Sequence, residues 1–463
     1  MTYELMSHEP VASSIDLLSA WIESQMAYSG QPGLSIAIIR DQDIVWSKGF
    51  GHSDVALETP AEPSTIYRIA SITKLFTATS IMQLRDDGKL QLDDPIIKHI
   101  PWFDIQDRYP DAPPITIRHL ITHTSGLPRE AAFPYWTDSE FPNRDQIVGA
   151  LPNQQTVLPT ETRWKYSNLA LSLAGEIVET VSGISYPEYV QSNILDPLGM
   201  SSTFVNSPDR DHPSLATGYG RRAPNGKRQV SPFTDGKGIT AAANMSTTVE
   251  DLAKFAMLQF RDGDTGGRQI LKGSTMREMH RVHWLDEEWE SGWGLGFNVS
   301  RIDGRTYNGH GGSVKGFRTH VRLRPADKIG VIVFTNADDG NPEKYVDKAF
   351  QWVAPGILSV LDSDAAPVPS SSEWEAYIGK YQGSSSDMQV LQLDGKLVAI
   401  DPSQPDPLES LTTLVPLDEH SFRIENPLGG SAHGEKFVFE LNDQGQVERV
   451  WVGENYSFPV QDW

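Results

Sequence analysis

Ser71-Ile72-Thr73-Lys74 is the pairing in this chain whose residue types and spacing could break an acyl bond. Three apart on a helix, the two side chains share a face, so the lysine amine reaches the serine hydroxyl. A serine hydroxyl is a weak nucleophile until a base takes its proton, and a lysine kept neutral by burial and nearby cations can be that base. Tyr166, in Tyr166-Ser167-Asn168, offers a phenol that serves as phenolate or as proton relay to a leaving group. Ser71 also suits a helix N-cap, where its backbone N–H and the helix dipole favour a developing oxyanion. In His310-Gly311-Gly312 a glycine-flanked strand lets a substrate backbone approach closely, with the N–H of Ser313 as a second oxyanion donor.

These residues need elements to hold them. Two apolar runs, 34–39 and 44–50, around Arg40-Asp41-Gln42-Asp43 predict a β-hairpin. Helical spacing appears over 12–28, 71–86, 115–122, 145–151, 168–182, 187–195 and 248–261. From 293 the pattern turns to strand, in WGLGFNVSRI, TYNGHGG, GFRTHVRLRP and KIGVIVFTNAD, and 343–361 returns to helix. Strands on both sides of a helical middle predict an α+β fold: one antiparallel sheet flanked by helices, with a helical subdomain. Residues 362–372 have linker composition, and the alternating stretches from 373 to 463 predict a small all-β unit. The expected domains are therefore 1–361, catalytic, and 373–463.

Composition narrows the partners. The 463 residues, 38% hydrophobic, describe a soluble globular protein with room for two domains. With 61 acidic against 39 basic residues the net charge is -22, which opposes nucleic acid and anionic membranes as partners. The expected partner is a small-molecule or peptide substrate, and a homo-oligomer is compatible with the composition. No cysteine is present, which excludes thiol nucleophiles and disulfides, and no run is long and apolar enough to span a membrane. The expected location is the cytoplasm, since the first 30 residues lack a continuous apolar segment. Acidic pairs such as Asp93-Asp94 and Asp338-Asp339 read as solvated surface rather than metal ligands, and no cofactor is expected. His123 reads as structural. Phe133, Tyr135, Trp136, Trp284, Trp289 and Trp293 are candidate walls of an apolar pocket, though core packing suits most of them better.

Taken in order, SITK, YSN and HGG, with LITHTSGLP at 120–128, WGLGF at 293–297 and FTNAD at 334–338, resemble the serine β-lactamase and penicillin-binding-protein superfamily. The likeness is to its class C-like branch of D-peptidases and esterases. The resemblance spans residues 12–361 and implies an active site in a cleft between the sheet domain and the helical subdomain. It makes Ser71 the acylated nucleophile, Lys74 its partner, Tyr166 a general base or acid, and Asn168 a donor to the acyl chain. His310 joins the catalytic set, at the place where penicillin-targeted relatives carry the lysine of Lys-Thr-Gly. Gly311, Gly312 and Ser313 line the substrate. The tail from 373, opening WEAYIGKYQG, is similar to the lipocalin-like barrels of some members. The implied activity is serine acyl hydrolysis of small esters or of amides and peptides with a D-acyl residue. Acyl transfer or peptide cyclisation through the same acyl-serine is one alternative, and a non-catalytic sensor or scaffold another. Two departures shape specificity. His310 is mostly neutral near pH 7 and grips a carboxylate less well than lysine, and Pro159-Thr160-Glu161-Thr162 replaces the usual Pro-Gly-Thr before the tyrosine motif.

Overall fold

The turn at Asp41, with φ of 52° in the left-handed region that aspartate tolerates, joins strands β1 (Gly33–Arg40) and β2 (Asp43–Asp54) as the apolar runs predict. The computed structural model describes residues 5–263, 266–362, 372–384, 387–426 and 431–462. Further strands are β3 (Thr59–Pro60), β4 (Tyr67–Arg68), β5 (Ser246–Thr247), β6 (Trp284–Leu285), β7 (Ser291–Trp293), β8 (Asn298–Ile302), β9 (Arg305–Val314), β10 (Phe317–Arg324) and β11 (Ile329–Thr335). Nine of them form one antiparallel sheet in the order β3-β2-β1-β11-β10-β9-β8-β7-β6, so strands from both ends of the helical middle meet at β1 and β11. β11 is buried at all seven positions, which explains why IGVIVFT is continuously apolar rather than alternating. β4 and β5 form a separate two-stranded ribbon.

Between β3 and β6 the helices gather around Thr73–Asp86, whose buried residues run from Thr73 through Met82 to Leu84. The helix Asn168–Ser182 packs against it, started by Ser167, whose Oγ accepts from the Ala170 N–H. One predicted cap fails. Ser71 does not cap Thr73–Asp86; it sits in a 3-10 turn, Ala70–Ile72, and neither turn nor helix has a side-chain cap. Its hydroxyl is thereby left to other partners.

The chain divides into two compact units, Pro32–Val346, and Met1–Gln31 with Asp347–Trp463. The second differs from the limits drawn on composition by taking in the first helix, Glu9–Ser29, and the helical run to Asp362. Burial of aromatic surface accounts for it: Trp21 meets Trp352 edge-on at 5.4 Å, its indole N–H donates to Gln404 O at 3.0 Å, and Lys380 pairs with Glu23 at 2.5 Å. The all-β tail is a closed eight-stranded barrel, from Gly379–Gln382 to Asn455–Val460, each strand paired to its sequence neighbour. Tyr377, Tyr381, Phe422, Phe437 and Phe439 fill its core. Most of the predicted linker, residues 363–371, lies outside the described residues.

Candidate active site

Ser71 owes its position to a strained backbone. Ala70, just before it, has φ of 47°, a conformation costly for a residue with a Cβ, and the chain turns sharply from β4 into the helix there. The turn is held from the sheet side, where Thr319 Oγ1 donates to Ile69 O at 3.2 Å. The fit is so close that a Cβ on Gly312 would lie 2.1 Å from Ile69 O and 2.2 Å from Thr319 Oγ1. Gly312 is thus required by the approach of β9 to the Ser71 turn, whereas a Cβ on Gly311 would make only ordinary contacts. β9 pairs with β8 only as far as Gly309, so 310–314 presents a free edge on that side, with Ser313 exposed.

Lys74 is 1% exposed and makes three contacts: Ser71 Oγ at 3.1 Å, Asn168 Oδ1 at 2.8 Å and Ala242 O at 2.8 Å. The last two oxygens only accept, so they take two N–H bonds of the amine. In the neutral form the remaining position, aimed at Ser71, is the lone pair. Burial holds the Lys74 pKa well below the ordinary lysine range; Glu130 opposes that depression and Arg129 adds to it. Tyr166 also hydrogen-bonds Ser71, and its burial raises the phenol pKa, so the resting residue is a phenol and not the phenolate, one of the two expected forms.

Asn168 is held at both ends of its amide, Oδ1 by Lys74 and Nδ2 by Glu130 Oε1 at 2.8 Å, and the Tyr135 hydroxyl donates to the other oxygen of Glu130. This pins the amide so that its oxygen faces the lysine. Sequence reading missed Glu130 and Arg129, though they directly follow the quoted LITHTSGLP. Stitching between loops brings them in: the Asn168 N–H donates to Arg129 O at 2.7 Å, and Ser167 Oγ to Pro128 O at 2.7 Å. The Glu130→Gln variant is predicted to keep the Asn168 contact through its amide oxygen while losing the charge that raises the Lys74 pKa. The limb of the kcat/KM profile that needs the neutral amine then moves to lower pH, as a pH-rate series will read.

His310 lines the same cleft, 5% exposed. Its Nδ1 lies 2.6 Å from Gly311 O, which only accepts, so Nδ1 carries the proton and Nε2 the lone pair; Nε2 has no partner among the described residues. Burial, then the charge of Lys74, pushes its pKa down to about 3, so the ring is neutral at working pH. His123 accepts the Ser167 N–H at Nδ1, 3.2 Å, at a backbone φ of 59°, and its ring packs against Tyr166 at 4.4 Å, which is the structural part expected of it. WGLGF and FTNAD act as clamps. A Cβ on Gly296 would lie 2.5 Å from Ala78 Cβ on the helix Thr73–Asp86, and Asn336 Nδ2 donates to the carbonyls of His52, Ser53 and Thr217.

The cleft, ≈ 1830 Å³, is lined by Ser71, Tyr166, Asn168 and the 310–314 edge. Of the six candidate aromatics Trp136 lines it, joined by Trp164, which sequence reading did not single out. Tyr135 is buried behind Glu130, Trp293 packs on His123 and His310, and Trp289 is 75% exposed.

A profile of the family described as Beta-lactamase matches residues 18–354. The chain is 27% identical to "Beta-lactamase-like protein 2" of Dictyostelium discoideum over 398 residues, 80% of this chain and 71% of that protein. Against other relatives it spans 64% of their length. Among solved structures, the octameric penicillin-binding protein homologue from Pyrococcus abyssi is 26% identical, with a TM-score of 0.65 over 96% of this chain and 99% of that one. A β-lactamase/D-alanine carboxypeptidase from Yersinia pestis, in complex with citrate, is 25% identical, with a TM-score of 0.63 over 74% of this chain and 98% of its own.

Proposed function

The chain belongs to the Beta-lactamase family, and from that premise we propose that it is a serine acyl hydrolase working through a covalent acyl-enzyme on Ser71. One observation carries the reading: a buried lysine whose other two hydrogen bonds aim its lone pair at the serine hydroxyl. Lys74 takes the Ser71 proton as the oxygen attacks the acyl carbon. The oxyanion forms between the N–H of Ser71 at the helix start and that of Ser313 on the open edge of β9. Tyr166, a phenol touching Ser71, donates its proton to the leaving group and regains one by way of Lys74. Water activated by the same pair then attacks the ester, and Ser71 leaves with its proton restored.

The substrate is a small ester, or an amide or peptide with a D-acyl residue. His310 supplies a hydrogen-bond acceptor and no charge. Arg129, Lys315 and Arg318, three of the cations that line the cleft, are engaged by Glu130, by Thr137 O with Ser139, and by Asp338. Turnover of a panel of D- and L-aminoacyl esters, amides and β-lactams tests this; an enzyme that acylates none of them is not a hydrolase of this class. His310→Lys places a permanent cation at the edge and is predicted to raise kcat/KM on carboxylate-bearing members of the panel by about tenfold relative to neutral ones. An unchanged ratio means that this position does not set the preference.

The size of the cleft supports a second reading, acyl transfer or cyclisation, because it exceeds the roughly 300–1,000 Å³ of common ligand pockets and leaves room for an acceptor beside the acyl group. Product ratios with and without an added amine separate the two readings. A hydrolysis fraction that stays constant supports water as the acceptor. Self-association, as in the octameric Pyrococcus homologue, is part of the same proposal.

A further inference from the structure

Three residues before Ser71, on β4, Arg68 is 2% exposed. Its guanidinium donates to Thr234 Oγ1 at 2.6 Å and, at a long 3.4 Å, to Asn244 Oδ1, both neutral. Nε is buried without a hydrogen-bond partner among the described residues, and no described carboxylate lies within 4.0 Å of the group. Asp235, which faces it electrostatically, is exposed and accepts instead from Asn244 Nδ2 at 3.0 Å. Burial lowers the pKa of Arg68 only to about 10, so it remains charged at neutral pH. A buried charge is costly unless paired, and neutral acceptors pair it incompletely.

Arg68 lines a cavity of ≈ 100 Å³ together with Thr217, Ser231, Phe233 and two further basic residues, Arg210 and Lys315. No carboxylate is among the described lining residues, in a chain whose net charge is -22. The space is large enough for a small ion with accompanying water. Arg68 also touches the catalytic machinery through Asn244. That residue's Oδ1 also accepts the Gly236 N–H at 2.8 Å, and the segment between them carries Ala242, whose carbonyl holds Lys74.

We propose that this cavity binds a small monovalent inorganic anion of halide size, which pairs with Arg68 and steadies the segment presenting the Ala242 carbonyl to Lys74. The site takes its specificity from size and from the buried charge of Arg68, with the exposed Arg210 among its lining residues and the Lys315 ammonium engaged by Thr137 O and Ser139 Oγ. Its occupancy is independent of the acyl substrate.

The test replaces gluconate by bromide at constant ionic strength while the thermal midpoint of the full chain is read. Expected is a saturable rise of about 3–6 °C, and in crystals soaked with bromide an anomalous scattering peak beside the Arg68 guanidinium. Arg210→Gln, an exposed position outside the catalytic cleft, raises the half-saturating bromide concentration about tenfold. Arg68→Met abolishes the response, and should that variant fail to fold, Arg210→Gln still carries the test. Formate in place of bromide distinguishes a small carboxylate from a halide: a response to formate with none to bromide overturns the assignment. So does a midpoint unchanged by bromide, or a bromide response that Arg210→Gln leaves intact.

Discussion

Ser71→Ala is expected to lower kcat/KM by about four to six orders of magnitude on any ester the protein hydrolyses, with the thermal midpoint little changed. The size follows from the role: without its oxygen no acyl-enzyme forms, and Lys74 and Tyr166 are left holding a proton route with no nucleophile at its centre. The small stability cost follows from the surroundings. Ser71 is half-buried in a 3-10 turn and caps nothing, so its hydroxyl contributes two hydrogen bonds to the site and none to the backbone. Steady-state kinetics beside a melting curve separates this outcome from simple unfolding, which would lower both.

Lys74→Ala is expected to cost about three to four orders of magnitude in kcat, with KM nearly unchanged, because the lysine acts on the serine proton and not on the substrate. It leaves a buried hole beside three oxygens, two of them carbonyl acceptors, so the variant also loses about 1–3 kcal/mol for each acceptor left unpaired. That hole has the shape of a primary amine. Methylamine is therefore expected to restore part of kcat. The rescue should grow with pH as the free base accumulates, because the neutral amine is the active form. Arginine at the same position keeps a cation without a usable base and is expected to gain nothing from methylamine. Equal activity of Lys74→Ala with and without methylamine, at the wild-type level, contradicts the role.

Much of this site is legible in the chain because its chemistry rests on side chains at fixed spacing. Ser71 and Lys74 stand three apart where the 3-10 turn runs into the helix, YSN leads into a helix, and HGG lies in a strand whose apolar flanks are plain. The sheet is legible for a related reason, since the buried runs 34–39 and 329–335 are too apolar for any exposed element. What escaped the sequence depends on backbone and on distant loops. Ala242 contributes only its carbonyl, so no residue type marks it. Glu130 acts on Asn168 across 38 positions of chain, through loops stitched by main-chain hydrogen bonds. Serine favours a cap position, but the strained turn at Ala70 moves Ser71 into the site instead. The two-residue strands β3 to β6 carry too few residues for a period to show. The small all-β tail is legible by alternation and its barrel form through the likeness of WEAYIGKYQG to lipocalin-like extensions, and the pairing of its first and last strands closes it.

The retained set of nucleophile, lysine and phenol argues against a sensor or scaffold, which needs a fold and a ligand but no aimed lone pair. Every role proposed for Lys74 and Tyr166 rests on acylation of Ser71 itself. Intact-mass measurement after a fluorophosphonate probe, and after rapid acid quench of an ester turnover, tests it most directly. Expected is a single adduct that maps to the peptide containing Ser71 and is absent from Ser71→Ala. An adduct that persists in Ser71→Ala, or turnover with no adduct on the wild-type chain, would contradict it.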